Sequence, residues 1–325
     1  MNEKVVSCEL CPRNCQIEPG RHGYCRARYN RDGELISLVY GKACAAHIDP
    51  IEKKPLFHFL PASKVFSFAT AGCNLHCLYC QNWDISQKYP DEAKNFDLPP
   101  AALVHEAAAN HCPSIAYTYT EPCTFFEYAL DTSRLARDKG IRNVLVTAAY
   151  LNDDPAREIL NVTDGASITF KGSPQFYRDV VGGTRSPVER YIKTAHKMGV
   201  HIELIHLVVP TMNDRPEELR EIVSWVANEL GPDVPLHFTR FFPLYQLTNL
   251  YPTPMATLLD AAHMAFGAGL NYVYVGNTPP NEFENTRCPR CKKVVIRRTG
   301  FHVAEINLAD GRCRSCNEKI PGVWK

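Results

Sequence analysis

The sequence predicts an α/β barrel flanked by two small cysteine-rich modules, on three observations. Between about residues 61 and 280, short β-branched and aromatic runs alternate with segments of helical period. That alternation implies parallel strands joined by crossover helices. The runs end repeatedly on polar residues, and in such barrels the chemistry collects at the C-terminal ends of the strands. Most of the 14 cysteines fall into three groups, one near each end of the chain and one after the first barrel strand.

Composition narrows the class. A chain of 325 residues with 45% hydrophobic content suits one large domain with appendages. The formal net charge of +1 creates no global field that would draw in nucleic acid or an acidic membrane. The start, Met1 to Cys8, has no long apolar stretch and does not read as a secretory signal. The apolar-rich run Ile202 to Val209 carries Glu203 and His206 and is too short to span a bilayer. A soluble, cytoplasmic protein is expected. In a reducing compartment, grouped cysteines argue for metal binding rather than disulfides.

The N-terminal module is expected over residues 1–60. Cys8, Cys11, Cys15 and Cys25 place four thiols in eighteen residues, and Gly20 and Gly23 supply tight turns between them. Four thiolates suit a structural zinc or an iron–sulfur cluster, and the spacing leaves both open. Glu34 to Tyr40 reads as a strand. Cys44, Cys112 and Cys123 stand apart from the groups and are expected to be packing residues.

The barrel is expected over 61–280. Val65 to Thr70 is its first strand, ending at a cysteine loop. Leu103, Val104, Ala107 and Ala108 follow at helical spacing. Ile115 to Tyr119 is the second strand; a helix then runs from Phe125 to Lys139 and stops at Gly140. Asn143 to Thr147 is the third strand, with a short helix over Pro155 to Leu160. Ala166 to Lys171 is the fourth. Ser186-Pro187-Val188-Glu189 has the form of a capping box opening a helix that Gly199 closes. His201 to Val209 is the fifth strand. Asp214 is expected to cap a helix reaching Leu230 before Gly231. Leu236 to Phe241, a helix opened by Thr253-Pro254, and Tyr272 to Val275 complete the alternation.

A C-terminal module is expected over 281–325. Cys288-Pro289-Arg290-Cys291 and Cys313-Arg314-Ser315-Cys316 form two C-x2-C knuckles around short strands at Val294 to Arg298 and Phe301 to Ile306. Two such pairs read as a zinc ribbon, although rubredoxin-type iron uses the same ligands.

The loop after the first strand is Cys73-Asn74-Leu75-His76-Cys77-Leu78-Tyr79-Cys80, spaced C-x3-C-x2-C. Three thiolates on a 4Fe–4S cluster leave one iron open, and an open metal position is where a reactant binds. The spacing resembles that of the radical S-adenosylmethionine (SAM) superfamily. Ala71-Gly72, the run Gln81 to Ser86 and the run Asp49 to His58 are similar to the pyruvate formate-lyase activating-enzyme relatives, in particular to the AmmeMemoRadiSam system radical SAM enzymes. The likeness runs over nearly the whole chain.

This resemblance implies a partial triosephosphate-isomerase-type (β/α)6 barrel carrying a 4Fe–4S cluster at Cys73, Cys77 and Cys80. It implies that SAM chelates the open iron, and that one electron from the cluster, supplied by a donor such as flavodoxin or ferredoxin, cleaves SAM to a 5′-deoxyadenosyl radical. Thr120-Glu121-Pro122 is similar to the family's Gly-Gly-Glu-Pro element, which assigns Glu121 to the SAM amino group and Thr120 to a backbone contact. Lys171 matches the lysine of an Asp-x-Lys element, with Thr169 in place of the aspartate, and is assigned to the SAM carboxylate. Thr147 resembles a ribose-contacting position. Tyr245 and Tyr79 are placed beside the adenine, with packing and shielding of the cluster as their alternatives. No side chain is expected to abstract hydrogen, because the radical comes from SAM. The implied role is activation or modification of a partner protein, as by a glycyl-radical activase. Radical modification of a small molecule or RNA is the second reading, and a non-catalytic iron–sulfur and zinc scaffold the third.

Overall fold

The computed structural model describes residues 4–325; Met1 to Glu3, read above for a leader sequence, lie outside the described residues. The dominant element is an eight-stranded sheet whose strands lie side by side in chain order. They are β1 (Ala45–Pro50), β2 (Lys64–Ala69), β3 (Ser114–Tyr117), β4 (Arg142–Thr147), β5 (Gly165–Thr169), β6 (His201–Val208), β7 (Leu236–Arg240) and β8 (Val273–Gly276). From β2 to β8 every neighbouring pair is parallel. Each of the six connections carries a helix: α1 (Pro100–Ala109), α2 (Phe126–Asp138), α3 (Asp153–Leu160), α4 (Arg185–Lys197), α5 (Pro216–Leu230) and α6 (Met255–Gly267). Edges β1 and β8 remain unjoined, so the sheet is a partial barrel of six β/α units, as expected.

The helices form because their apolar residues return to one face. On α5, Leu219, Ile222, Val223, Val226 and Leu230 are all buried, a stripe with the period of the helix. Each such side chain taken fully out of water contributes about 1.5–3 kcal/mol. The strands read as nearly continuous buried runs, such as Ser114–Tyr117, because a parallel sheet is covered on both faces.

Several local expectations give way to tertiary contacts. The capping box at Ser186 is not used: α4 begins at Arg185, with Thr184 at the N-cap and no side-chain cap. Arg185 is held instead by Glu189, at 2.8 Å, and by Glu221 of the adjacent α5; that cross-helix pairing outweighs a local cap. Asp214 does not cap α5, since its carboxylate accepts the Thr211 N–H at 2.8 Å and closes the preceding turn. Strand β5 stops at Thr169, so Lys171 lies two residues beyond it.

The N-terminal unit expected to reach residue 60 loses its last part to the barrel. Strand β1 pairs antiparallel with β2 from Ala45 opposite Ala69 to Pro50 opposite Lys64. Its composition, Ala-Ala-His-Ile-Asp-Pro, hides a strand that pairing with β2 imposes. What remains is two small antiparallel hairpins, Val6–Cys8 with Cys15–Ile17 and Arg28–Arg31 with Glu34–Ser37.

The C-terminal module is a three-stranded antiparallel sheet of Thr286–Arg287, Val294–Thr299 and His302–Ile306. It docks on the segment before β2. His58 Nδ1 lies 2.7 Å from the Pro321 carbonyl, and Arg298 Nη2 donates to the Phe57 carbonyl at 2.6 Å. Beneath that segment, buried Glu203 accepts from His58 N–H at 2.7 Å and pairs with His237 at 2.7 Å and His201 at 3.0 Å. These contacts gather at the starts of β6 and β7, the end of the barrel away from the cysteine loop.

Candidate active site

Strand β2 delivers the chain directly into the cysteine loop. The loop is seated by backbone bonds to the segment before α4: His76 N–H donates to the Val181 carbonyl at 3.1 Å and Leu78 N–H to that of Val180 at 3.0 Å. The packing is close there: a Cβ at Gly183 would stand 2.8 Å from the end of the Leu75 side chain, which would have to shift. Leu75 N–H points to Cys73 Sγ at 3.4 Å, and Cys80 Sγ lies 3.2 Å from the Ser86 hydroxyl. Burial pushes the Cys73 thiol up, and the nearby Glu121 carboxylate pushes it further. Burial likewise raises Cys77, partly offset by Lys171.

Glu121 and Lys171 therefore flank the loop from two strand ends. Glu121 is buried after β3. It accepts from the Thr147 hydroxyl at 2.5 Å and from Ala148 N–H at 2.7 Å, both at the end of β4. Burial pushes its carboxyl up, while these donors, Cys123 N–H and Lys171 pull it back. Lys171 is buried beyond β5; its Nζ stands 5.8 Å from the centre of the Tyr79 ring. Thr120 donates its hydroxyl to the Thr70 carbonyl at 2.8 Å, which joins the exits of β2 and β3. Tyr79 is buried with a hydroxyl that has no partner among the described residues. Tyr245, after β7, is backed by Trp83, its ring stacked at 5.4 Å.

Residues 68–226, from β2 into α5, match the model of the radical SAM superfamily. The chain belongs to the radical SAM superfamily. It is 44% identical over 322 residues to an uncharacterised protein of Methanocaldococcus jannaschii, covering 98% of this chain and 96% of that one. It is also 24% identical to a pyruvate formate-lyase-activating enzyme of Clostridium pasteurianum, over 48% of this chain and 67% of that one. Among solved structures, SuiB of Streptococcus suis bound to S-adenosylmethionine aligns with a TM-score of 0.51 at 14% identity, over 70% of this chain and 53% of that one. That likeness concerns the fold.

A radical SAM chain is an enzyme, so the scaffold reading falls. Membership implies a 4Fe–4S cluster and SAM, and the residues present fit both. Thiols held neutral by burial ionise once a cation replaces their protons, and the loop offers N–H and hydroxyl groups to the sulfurs. The Glu121 carboxylate and the Lys171 ammonium present opposite charges on one rim, the complement of an amino acid zwitterion.

The N-terminal unit covers the outer side of this radical SAM loop. The Tyr24 ring stacks on His76 at 4.2 Å, Arg26 Nη1 lies 2.9 Å from His76 Nε2, and Arg13 Nε donates to the Asn74 carbonyl at 3.1 Å. Gly72 has φ +94°, and a Cβ there would stand 2.4 Å from the Cys25 carbonyl oxygen.

At the other end, Cys288 Sγ and Cys316 Sγ are 3.5 Å apart, Cys291 Sγ and Cys313 Sγ 3.7 Å, and the sulfur atoms of all four lie within 4.8 Å of one another. Four thiolates at about 2.3 Å from one zinc ion stand ~3.8 Å apart, so this set can close on a single ion. Among the described residues no other group of three or more His, Cys, Asp or Glu gathers so tightly. The N-terminal cysteines instead line a cavity.

Three contributors escaped the sequence reading. Asn74 bonds Tyr150 through its amide at 2.7 Å and pins the loop to the end of β4. Arg28, within the N-terminal unit, pairs with Glu127 at the start of α2. Cys123, expected to be mere packing, faces the N-terminal thiols. Its place two residues after Glu121 was the available signal.

Proposed function

We propose that this radical SAM enzyme abstracts hydrogen from a partner protein, in the manner of a glycyl-radical activase. The observation that carries the reading is an apolar rim beside the cysteine loop. Trp83, Phe242, Leu244 and Tyr251 are all exposed and follow either Cys80 or the end of β7. Gln246 N–H bonds the Leu78 carbonyl at 2.9 Å, so this rim is continuous with the loop. Exposed apolar groups on the segments that adjoin the loop suit a protein-contact surface, and they suit a polypeptide better than a small polar metabolite. Likeness to pyruvate formate-lyase-activating enzymes points the same way.

When bound, the cluster and SAM supply a one-electron route to a carbon-centred radical; the protein supplies placement and dryness. Glu121 receives the SAM ammonium and Lys171 its carboxylate. Thr147 reaches the ribose while holding Glu121 in place, and the Thr120 backbone lines the same rim. Tyr79 and Tyr245 border the adenine. The electron comes from a low-potential donor such as flavodoxin or ferredoxin. Zinc occupies the Cys288, Cys291, Cys313 and Cys316 set as a structural staple.

The test uses the anaerobically reconstituted protein with dithionite and SAM, read as 5′-deoxyadenosine. Extract of the organism that makes the protein is divided by size. The fraction of large solutes should stimulate cleavage, lose its effect on protease treatment and acquire a protein radical signal. A Phe242→Ser, Tyr251→Ser variant should keep basal cleavage and lose the stimulation. Stimulation by the small-solute fraction, or its loss on ribonuclease treatment, would replace this reading with the small-molecule or RNA one.

A further inference from the structure

One cavity lies between the N-terminal hairpins and the barrel, apart from the SAM rim. Cys8, Cys11, Cys15 and Cys25 line it from one side and Cys123 from the other. Cys8 and Cys15 are cross-strand partners of the first hairpin. The Cys11 carbonyl accepts from Asn14 N–H at 3.0 Å in the turn that joins the hairpin's strands. Cys25 sits at the contact with Gly72, and Cys123 belongs to the turn that enters α2. Five thiols separated by as much as 115 positions in the chain thus meet at one place.

We propose that this cavity holds a second iron–sulfur cluster, bound by the thiolates of Cys8, Cys11, Cys15 and Cys25, with the Cys123 thiol facing it from the barrel. The choice of a cluster over zinc rests on comparison within one molecule. The C-terminal thiols have drawn together to 3.5 and 3.7 Å, the spacing of ligands on one ion. No three of the N-terminal thiols come within 4.8 Å of one another, though both sets are well packed. Thiolates on an iron–sulfur cube bind different irons and so stand further apart than thiolates on a single ion. Together with Cys123 they line a small cavity rather than closing on one point.

Independent support comes from Arg28. This arginine is only 5% exposed and lines the same cavity. Its two terminal nitrogens bond Glu127 at 2.8 and 2.5 Å, but its Nε–H has no partner among the described residues. A buried N–H without an acceptor is costly, and a cluster sulfur or thiolate in the cavity would accept it. Asn74 ties the two metal regions together: its amide donates to Cys123 Sγ at 3.2 Å, and it follows Cys73 in the chain. Hydrogen bonds that orient the groups around a metal site tune it. With four thiolates every iron would be taken, so this cluster would have no open position for SAM.

The deciding experiment removes the catalytic site. A Cys73→Ala, Cys77→Ala, Cys80→Ala variant of the full chain is reconstituted anaerobically, and its fold is checked by circular dichroism. It should retain about four irons and four sulfides per chain. After reduction it should show a cluster resonance that SAM does not perturb. The intact protein should hold about eight irons. Retention of zinc in place of that iron, or no sulfide in the folded triple variant, would overturn the proposal. This outcome does not depend on whether the catalytic reading is right. In the same background, Cys123→Ala should shift the g values or the midpoint potential, while Cys112→Ala, at a buried cysteine that does not line the cavity, should leave both unchanged. An unshifted spectrum in Cys123→Ala would remove that thiol from the site.

Discussion

The Thr147 hydroxyl donates to Glu121 across 2.5 Å, tying the end of β4 to the loop after β3. With Ala148 N–H on the other oxygen, the carboxylate is fixed before any cosubstrate arrives. Such a group binds without first being ordered.

Glu121→Gln keeps the shape and removes the charge. A hydrogen bond to a charged group contributes about 1.5–3 kcal/mol, so SAM affinity should fall roughly 10- to 100-fold. The cluster should remain visible in the absorption spectrum, because Glu121 is no thiolate ligand. Equilibrium binding of SAM to the reconstituted variant measures the first effect. Loss of the cluster would show that Glu121 is structural.

Cys77→Ala should abolish SAM cleavage. Two remaining loop thiolates do not hold a cluster stably. The assay is 5′-deoxyadenosine formed under dithionite, set against iron content. Normal cleavage by this variant would remove the central assignment.

Replacing Cys288 and Cys291 together with serine should release one zinc per chain and lower the melting temperature. Structural metal binding is part of the folding free energy. SAM cleavage should remain measurable, because this module docks at the end of the barrel away from the cysteine loop. Metal analysis and thermal unfolding read the two effects separately. Loss of all iron from the folded variant would contradict the independence of the sites.

Stability should fall as the solution is acidified below pH 6.5. His206 is fully buried, with Nδ1 at 2.9 Å from the Phe170 carbonyl and Nε2 without a partner among the described residues. Burial holds its pKa down to about 4, against 6.5 when free. Between those values the unfolded chain takes up a proton that the folded one refuses, so acidification favours unfolding. From pH 6.5 to 5 this costs about 2 kcal/mol. His206→Gln should flatten the dependence by that amount in denaturant titrations at the two pH values. His58, also held down to about 4 by burial, keeps part of the slope in the variant. An unchanged slope would show that His206 titrates alike in the folded and unfolded states.

The sequence by itself determined whatever a short stretch of chain can encode. The C-x3-C-x2-C loop closes within eight residues, the C-x2-C knuckles within four, and the alternation of strand and helix is a matter of local period. The six β/α units and the position of the cysteine loop at the exit of the first barrel strand were legible for that reason. Glu121, Thr147 and Lys171 could be placed on one rim because parallel strands all end on the same side. The tertiary structure decided what depends on partners distant in the chain. Ala45–Pro50 became a strand because β2 offered it an edge, and α4 began at Arg185 because Glu221 on a neighbouring helix held that residue. Cys123 met Cys11 only when the N-terminal hairpins packed over the barrel. No local period records a contact across 112 positions; it is settled by which surfaces the fold brings together and which buried groups then need each other.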